Sequence, residues 1–174
     1  FDRDTAVLVA MEKFWSDGYE ATTIAKLTDA MGITPPSLYA AFGDKDQLFA
    51  LAGRVYFDTI SERFEETLAL PTLREAITQM LLLTATAHTD ESTPPGCFMA
   101  TEPKLAAERE ILRKRLAQRV AQAVREGDVP ASTNPDQVAS YVMAVHSGMS
   151  SRARDGGTTA ELREIVDVAV KGLP

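Results

Sequence analysis

Apolar positions recur at helical spacing along the whole chain. Val7, Leu8, Met11, Phe14 and Trp15 stand at offsets of 0, 1, 4, 7 and 8, one face of a helix over about 3–17, and Gly18 stops the pattern. Thr22 and Thr23 can cap a second, short helix carrying Ile24, Leu27 and Met31, and Gly32 suits the left-handed turn that closes it. Thr34 reads as the N-cap of a third helix. Pro35 and Pro36 fall in its first turn, where a missing N–H costs little, and Leu38, Tyr39 and Phe42 supply apolar anchors.

Asp44 with Gln47 fits the start of a long fourth helix whose inward positions are Leu48, Ala52, Val55, Tyr56 and Phe64, ended by Pro71. The stretch from Thr72 to about His88 carries Leu73, Ile77, Met80, Leu81 and Thr84, and its run Met80–Leu83 predicts burial on more than one side. Ser92, Thr93, Pro94, Pro95 and Gly96 mark a loop, after which a short or kinked helix starts near Cys97. An amphipathic helix over Pro103–Arg125 is closed by Gly127 and Pro130. Asn134 and Pro135 open the next, and Thr158 with Glu161 makes a capping box for the last. No stretch reads as a strand. The predicted fold is all-α, with about nine helices: a three-helix head over 1–46 and a helical domain over 47–174.

Composition narrows the function classes. The chain has 174 residues, 45% hydrophobic and 25% charged, ordinary for a globular protein and enough to bury a real core. Its single cysteine, Cys97, permits no internal disulfide, and no apolar run approaches the ~20 residues that span a bilayer. These features point to a soluble, cytoplasmic protein with no membrane partner. Two histidines, no Gly-rich phosphate loop and no nucleophile motif point away from an enzyme, and no cofactor is expected. His88, Cys97 and His146 are scattered along the chain, so no metal site is expected either. Cys97 itself reads as a small buried hydrophobe or as a redox-sensitive thiol.

The second helix, the turn at Gly32-Ile33 and the third helix form a helix-turn-helix pattern, the geometry that lays a second helix in a DNA major groove. Gly18-Tyr19, Thr22-Thr23-Ile24, Leu27, Met31-Gly32-Ile33-Thr34, Ser37-Leu38-Tyr39, Phe42, Lys45 and Leu48 stand in an order and spacing that resembles the DNA-binding domain of TetR-type transcriptional repressors. The resemblance is dense over residues 5–50. Farther on it survives in helix lengths and in the run Ala144-Val145-His146-Ser147-Gly148.

The resemblance implies roles for particular residues. Thr23 and Lys45 would meet phosphates, Tyr39 would reach the backbone or a thymine methyl, and Thr34, Pro35, Pro36, Ser37 and Ala41 would line the reading side of the third helix. It implies a homodimer formed by the last two helices, for which Ala144, Gly148, Leu162, Ile165, Val166 and Ala169 are the candidates. It also implies a small-molecule effector held in the C-terminal domain. Candidate lining residues are Met80, Thr84, His88, Phe98, Met99, Tyr141 and His146, among which the polar groups are better suited than ordinary core residues to greet a ligand.

Charge cuts against this reading. The formal net charge is -7, and residues 1–49 hold Arg3, Lys13, Lys26 and Lys45 against Asp2, Asp4, Glu12, Asp17, Glu20, Asp29, Asp44 and Asp46. A DNA-binding head needs an electropositive face. The expectation is therefore that the cations gather at the contact surface and that a basic leader ahead of Phe1 adds to them. The resulting reading is a ligand-responsive repressor that binds a palindromic double-stranded DNA operator. The alternative is an all-α small-molecule-binding or scaffold protein that does not read DNA.

Overall fold

The computed structural model describes residues 1–174 and is all-helical, with nine α-helices and no strand. In chain order these are α1 (Arg3–Asp17), α2 (Ile24–Met31), α3 (Pro35–Phe42), α4 (Lys45–Leu68), α5 (Leu73–Ala87), α6 (Phe98–Thr101), α7 (Ala106–Glu126), α8 (Pro135–Arg154) and α9 (Thr159–Ala169). Short 3₁₀ turns stand at Pro103–Leu105 and Val170–Gly172. No helix is long and apolar enough to cross a membrane.

The chain divides into two compact units, Phe1–Thr59 and Ile60–Pro174. The division lies inside α4, later than the boundary at 46/47 drawn from the sequence. The first turns of α4 belong to the core of the first unit: Phe49 meets the Phe14 ring edge-on at 5.1 Å, and Tyr56 meets Trp15 at 5.2 Å.

In the first unit each short helix is bounded by a residue with one local task. Asp2 accepts the Thr5 N–H at 2.6 Å and caps α1, and Thr23 accepts the Lys26 N–H at 3.2 Å and caps α2. Gly32 takes the left-handed conformation (φ 66°) that ends α2 and returns its N–H to the Thr28 and Asp29 carbonyls. Ala6, Val7, Ala10, Phe14, Leu27, Leu38 and Phe42 fill the core. Leu8, placed on the inner face of α1 by spacing, is half exposed; the alanines at 6 and 10 complete the buried stripe in its place.

In the second unit α7 lies along α8, and α5 packs on α9, α8 and α7. Reciprocal capping boxes open α5 (Thr72 with Glu75) and α9 (Thr158 with Glu161). Ile77, Leu81, Leu116, Val142, Met149 and Leu162 are almost wholly buried. The core also holds a charge. The Arg119 guanidinium, on α7, donates from Nε to the Leu68 carbonyl at 2.8 Å and from Nη2 to the Leu70 carbonyl at 3.1 Å, so it satisfies the otherwise orphaned C-terminal end of α4.

Candidate nucleic-acid interface

Helix α3 is short, and its two faces differ sharply. Leu38 and Phe42 point inward and are buried. Thr34, Pro35, Pro36 and Tyr39 are exposed, and Ser37 and Ala41 are half-buried at the edges. Thr34 accepts the Ser37 N–H, and the two hydroxyls lie 2.9 Å apart, which fixes the first turn while leaving hydroxyl groups at the surface. Tyr39 is 51% exposed, so it is no core tyrosine. Thr23 also stands exposed at the start of α2, with its oxygen engaged by the Lys26 N–H and its own proton available to an outside acceptor.

Lys45 opens α4, and its Nζ lies 4.1 Å from the centroid of the Tyr19 ring. Tyr19 stacks on Phe14, meets Phe49 edge-on and donates its hydroxyl to the Asp46 carboxylate at 2.6 Å. The lysine therefore rests on a ring that is itself held from three sides. Sequence reasoning placed Lys45 from family resemblance alone; the role of Tyr19 beneath it went unread.

Several acids of the first unit are employed within it. Asp2 caps α1, Asp44 accepts the Gln47 N–H at 2.8 Å, and Asp46 receives the Tyr19 hydroxyl. Asp17 receives both Lys26, at 3.1 Å, and Lys13, at 3.2 Å, and these two ammonium groups, Lys26 first, hold its carboxyl below the usual range. The cations expected to gather at the contact surface divide. Lys13 and Lys26 are drawn to Asp17 because an acid one turn or one loop away competes for them, whereas Arg3, over the Phe42 ring at 5.1 Å, also donates from Nε to the Ala41 carbonyl at 3.5 Å, at the edge of α3.

The effector candidates fall into two places. Met80, Thr84, His88, Phe98 and Met99 are buried; the Thr84 hydroxyl is spent on the Met80 carbonyl at 2.9 Å. His146 is partly buried, and its ring meets His88 edge-on at a centroid distance of 4.9 Å. Desolvation, with lesser repulsion from His146 and Arg154, pushes the His88 imidazole down to about 3, and burial pushes His146 down to about 4, so both rings are neutral near pH 7. Tyr141 does not join this group. It is 39% exposed and donates to the Ala169 carbonyl at 2.7 Å, because five residues along α8 turn it well away from His146.

Nor are the metal-type donors scattered in space. His88, Cys97 and His146 each bring one ligand atom to within 4.8 Å of the others, which corrects the expectation drawn from their sequence separation. Loop closure, invisible to spacing rules, makes the difference.

The dimerisation candidates also divide. Leu162 and Val166 are buried within the single chain and so are withdrawn from any outer face, whereas Ala169, though also buried, still lines the outward depression of this helix. Ala144 and Gly148 are exposed on α8, and Ile165 is half-buried. The outward stripe of α9 is instead Ile165 with Val168, which is 68% exposed. Together with Tyr141, Val145, Ala169 and the acids Glu161 and Glu164 they line an open depression of about 430 Å³. Val168 sits three residues after Ile165, a spacing that could have disclosed this second face.

The geometry agrees with known proteins. The family model described as bacterial regulatory proteins, tetR family, matches residues 7–52. The HTH-type transcriptional repressor ComR of Escherichia coli (strain K12) is 29% identical over all of this chain and 90% of its own. A cysteine mutant of the TetR family regulator CifR, solved with 26-base-pair operator DNA, is 34% identical with a TM-score of 0.89, covering all of this chain and 98% of that one. A TetR regulator from Rhodococcus sp. RHA1 is 36% identical over 99% of this chain and 100% of its own, with a TM-score of 0.66. From the helix-turn-helix head through the last helix, the chain belongs to the TetR family of bacterial transcriptional regulators.

Proposed function

We propose that this regulator is a ligand-responsive repressor that binds a palindromic operator as a homodimer and acts in the cytoplasm. The observation that carries the reading is the outer face of α3: exposed Thr34, Pro35, Pro36 and Tyr39 on a helix whose opposite side is anchored by Leu38 and Phe42. Such a face offers hydroxyls to base edges or phosphates and apolar surface to thymine methyls. Ser37 and Ala41 flank it, and Thr23 and Lys45, at two helix N-termini, supply phosphate contacts. The operator-bound form of CifR supports the same use of the corresponding head here.

One short helix reads only a few base pairs, so specificity requires two heads. The outward stripe of Tyr141, Val145, Ile165 and Val168, with Ala144 and Gly148 permitting close approach, suits an isologous contact with a second copy. An effector in the second unit releases DNA only if it binds the released conformation more tightly than the bound one. Met80, Thr84, His88, Phe98, Met99 and His146 are the residues we assign to that site. Helix α4 begins in the first unit and ends in the second, and Arg119 grips its far end, which makes it the route of coupling. The reading is of a binding protein rather than an enzyme.

A mobility-shift assay on the gene's own upstream region tests the head. The double variant Lys45→Ala, Tyr39→Ala should lose retention of the fragment while keeping its helical content. Full retention by a folded double variant would remove α3 from the interface and favour the alternative, a helical protein that does not read DNA.

A further inference from the structure

Three elements converge near the C-terminal end of α5. His88 is the C-terminal cap of α5, Cys97 immediately precedes α6, and His146 lies within α8. The loop between His88 and Cys97 is tied at its far end. The Gly96 N–H donates to the His88 carbonyl at 2.9 Å, and the Cys97 N–H donates to the Ser150 hydroxyl at 2.8 Å. Ser150 is four residues beyond His146 on α8, hence on the same side of that helix. Gly96 has φ 79°, and a Cβ there would lie 2.7 Å from the Ser150 Oγ and 2.9 Å from its carbonyl oxygen, so the closure depends on glycine.

The closure brings one donor atom each from His88, Cys97 and His146 to within 4.8 Å of the other two. A second observation points to a ligand. His88 is only 4% exposed, and its Nδ1 is buried without a hydrogen-bond partner. Native packing avoids such a nitrogen unless something accepts its lone pair or receives its proton.

We propose that His88, Cys97 and His146 form a transition-metal site that takes a thiophilic d¹⁰ ion, copper(I) or zinc(II). His88 and His146 are shared with the effector site assigned above, and metal uptake is read without DNA, so its failure leaves the repressor reading standing. A thiolate and two imidazoles are a soft-to-borderline donor set, and the absence of carboxylate or carbonyl oxygen from the set disfavours calcium and magnesium. Bonds of ~2.0–2.3 Å would hold the donors roughly 3.3–3.9 Å apart. The three lie within 4.8 Å of one another, so side-chain movement of about an ångström would bring them to it. The partial exposure of His146 leaves an entry path. On binding, a metal–sulfur bond forms and the thiol proton passes to solvent. A monovalent ion is neutralised by the one thiolate and is satisfied by three ligands. A divalent ion leaves one positive charge and takes a water as its fourth ligand.

The test uses the full chain, reduced and stripped of metal with a chelator. It is titrated with copper(I) under anaerobic conditions against a competing copper(I) chelator, and separately with zinc(II) against a chromophoric one, with cobalt(II) as the spectroscopic stand-in for zinc. The expected result is one equivalent of copper(I), zinc(II) or both per chain, accompanied by a thiolate-to-metal charge-transfer band. Cys97→Ala should abolish the band, and His88→Ala or His146→Ala should weaken binding at least tenfold. Stoichiometric uptake of copper(I) alone assigns the neutral three-coordinate centre, and uptake of zinc(II) alone the four-coordinate one. No stoichiometric uptake of either ion would overturn the proposal, as would uptake without the band or uptake unchanged in Cys97→Ala. The band is read on the unaltered chain, so it decides the matter even if a variant does not fold.

Discussion

The two units handle ionisable side chains in opposite ways, although the first also buries the hydroxyl residues Thr22 and Thr28. In the first, charges stay outside an aromatic and aliphatic core, and cations rest on the faces of Tyr19 and Phe42 or against Asp17. In the second, Arg119, His88, Glu102 and Ser150 are taken inside. An apolar core surrounded by fixed charges makes a rigid mount for the outward side of α3. A core that contains polar groups depends on partners being present, and a bound molecule or ion can change that balance. The first design suits a reading head and the second a responsive body.

Substitutions can break this comparison. The largest effect is expected from Phe14→Ala, which empties the centre of the first unit and should cost about 3–5 kcal/mol in denaturant unfolding together with DNA retention. Arg119→Ala should come next. It strands the Leu68 and Leu70 carbonyls and should cost about 3 kcal/mol by the same measurement.

Acid should act on the second unit. His88 is neutral in the fold down to about pH 3, whereas an unfolded histidine takes up its proton near 6.5, so protons favour the unfolded chain throughout that window. The contribution of His88 to stability is present above pH 6.5 and is lost as the pH falls. At ~1.4 kcal/mol per pH unit, about 2 kcal/mol should be gone at pH 5, with His146 acting in the same direction. Thermal unfolding of the metal-free chain between pH 7 and pH 5 checks this, and His88→Phe should flatten the profile.

The smallest effect separates two glycines of similar backbone. Gly32 has φ 66° with open space around its missing Cβ, so Gly32→Ala should cost only the left-handed strain, about 1 kcal/mol. Gly96 is crowded by Ser150, and Gly96→Ala should cost distinctly more. Equal losses at the two positions would remove the distinction between an open turn in the head and a packed closure in the body.

The head was legible because each of its boundaries is marked by a residue with a local reason to be there. Thr23 and Thr34 cap, Gly32 turns, and Pro35 and Pro36 begin a helix, so position along the chain sufficed. The second unit was legible only as helices. Apolar periodicity on α9 shows a broad stripe, yet cannot say that Leu162 and Val166 face inward while Ile165 and Val168 face out. Arg119 read as one more charge on an amphipathic helix, since nothing local announces that it crosses to the end of α4. The meeting of His88, Cys97 and His146 rests on a loop closed by Gly96 and Ser150, contacts between residues far apart in sequence.

The central claim is that two outward α3 faces read two grooves of one duplex. Hydroxyl-radical footprinting of both operator strands tests it most directly. The account predicts two protected segments related by a two-fold axis, their centres about one helical turn, ~10 base pairs, or a multiple of it apart. A single unsymmetrical protected patch, or protection that persists unchanged when Tyr39 and Lys45 are both alanine, would contradict it.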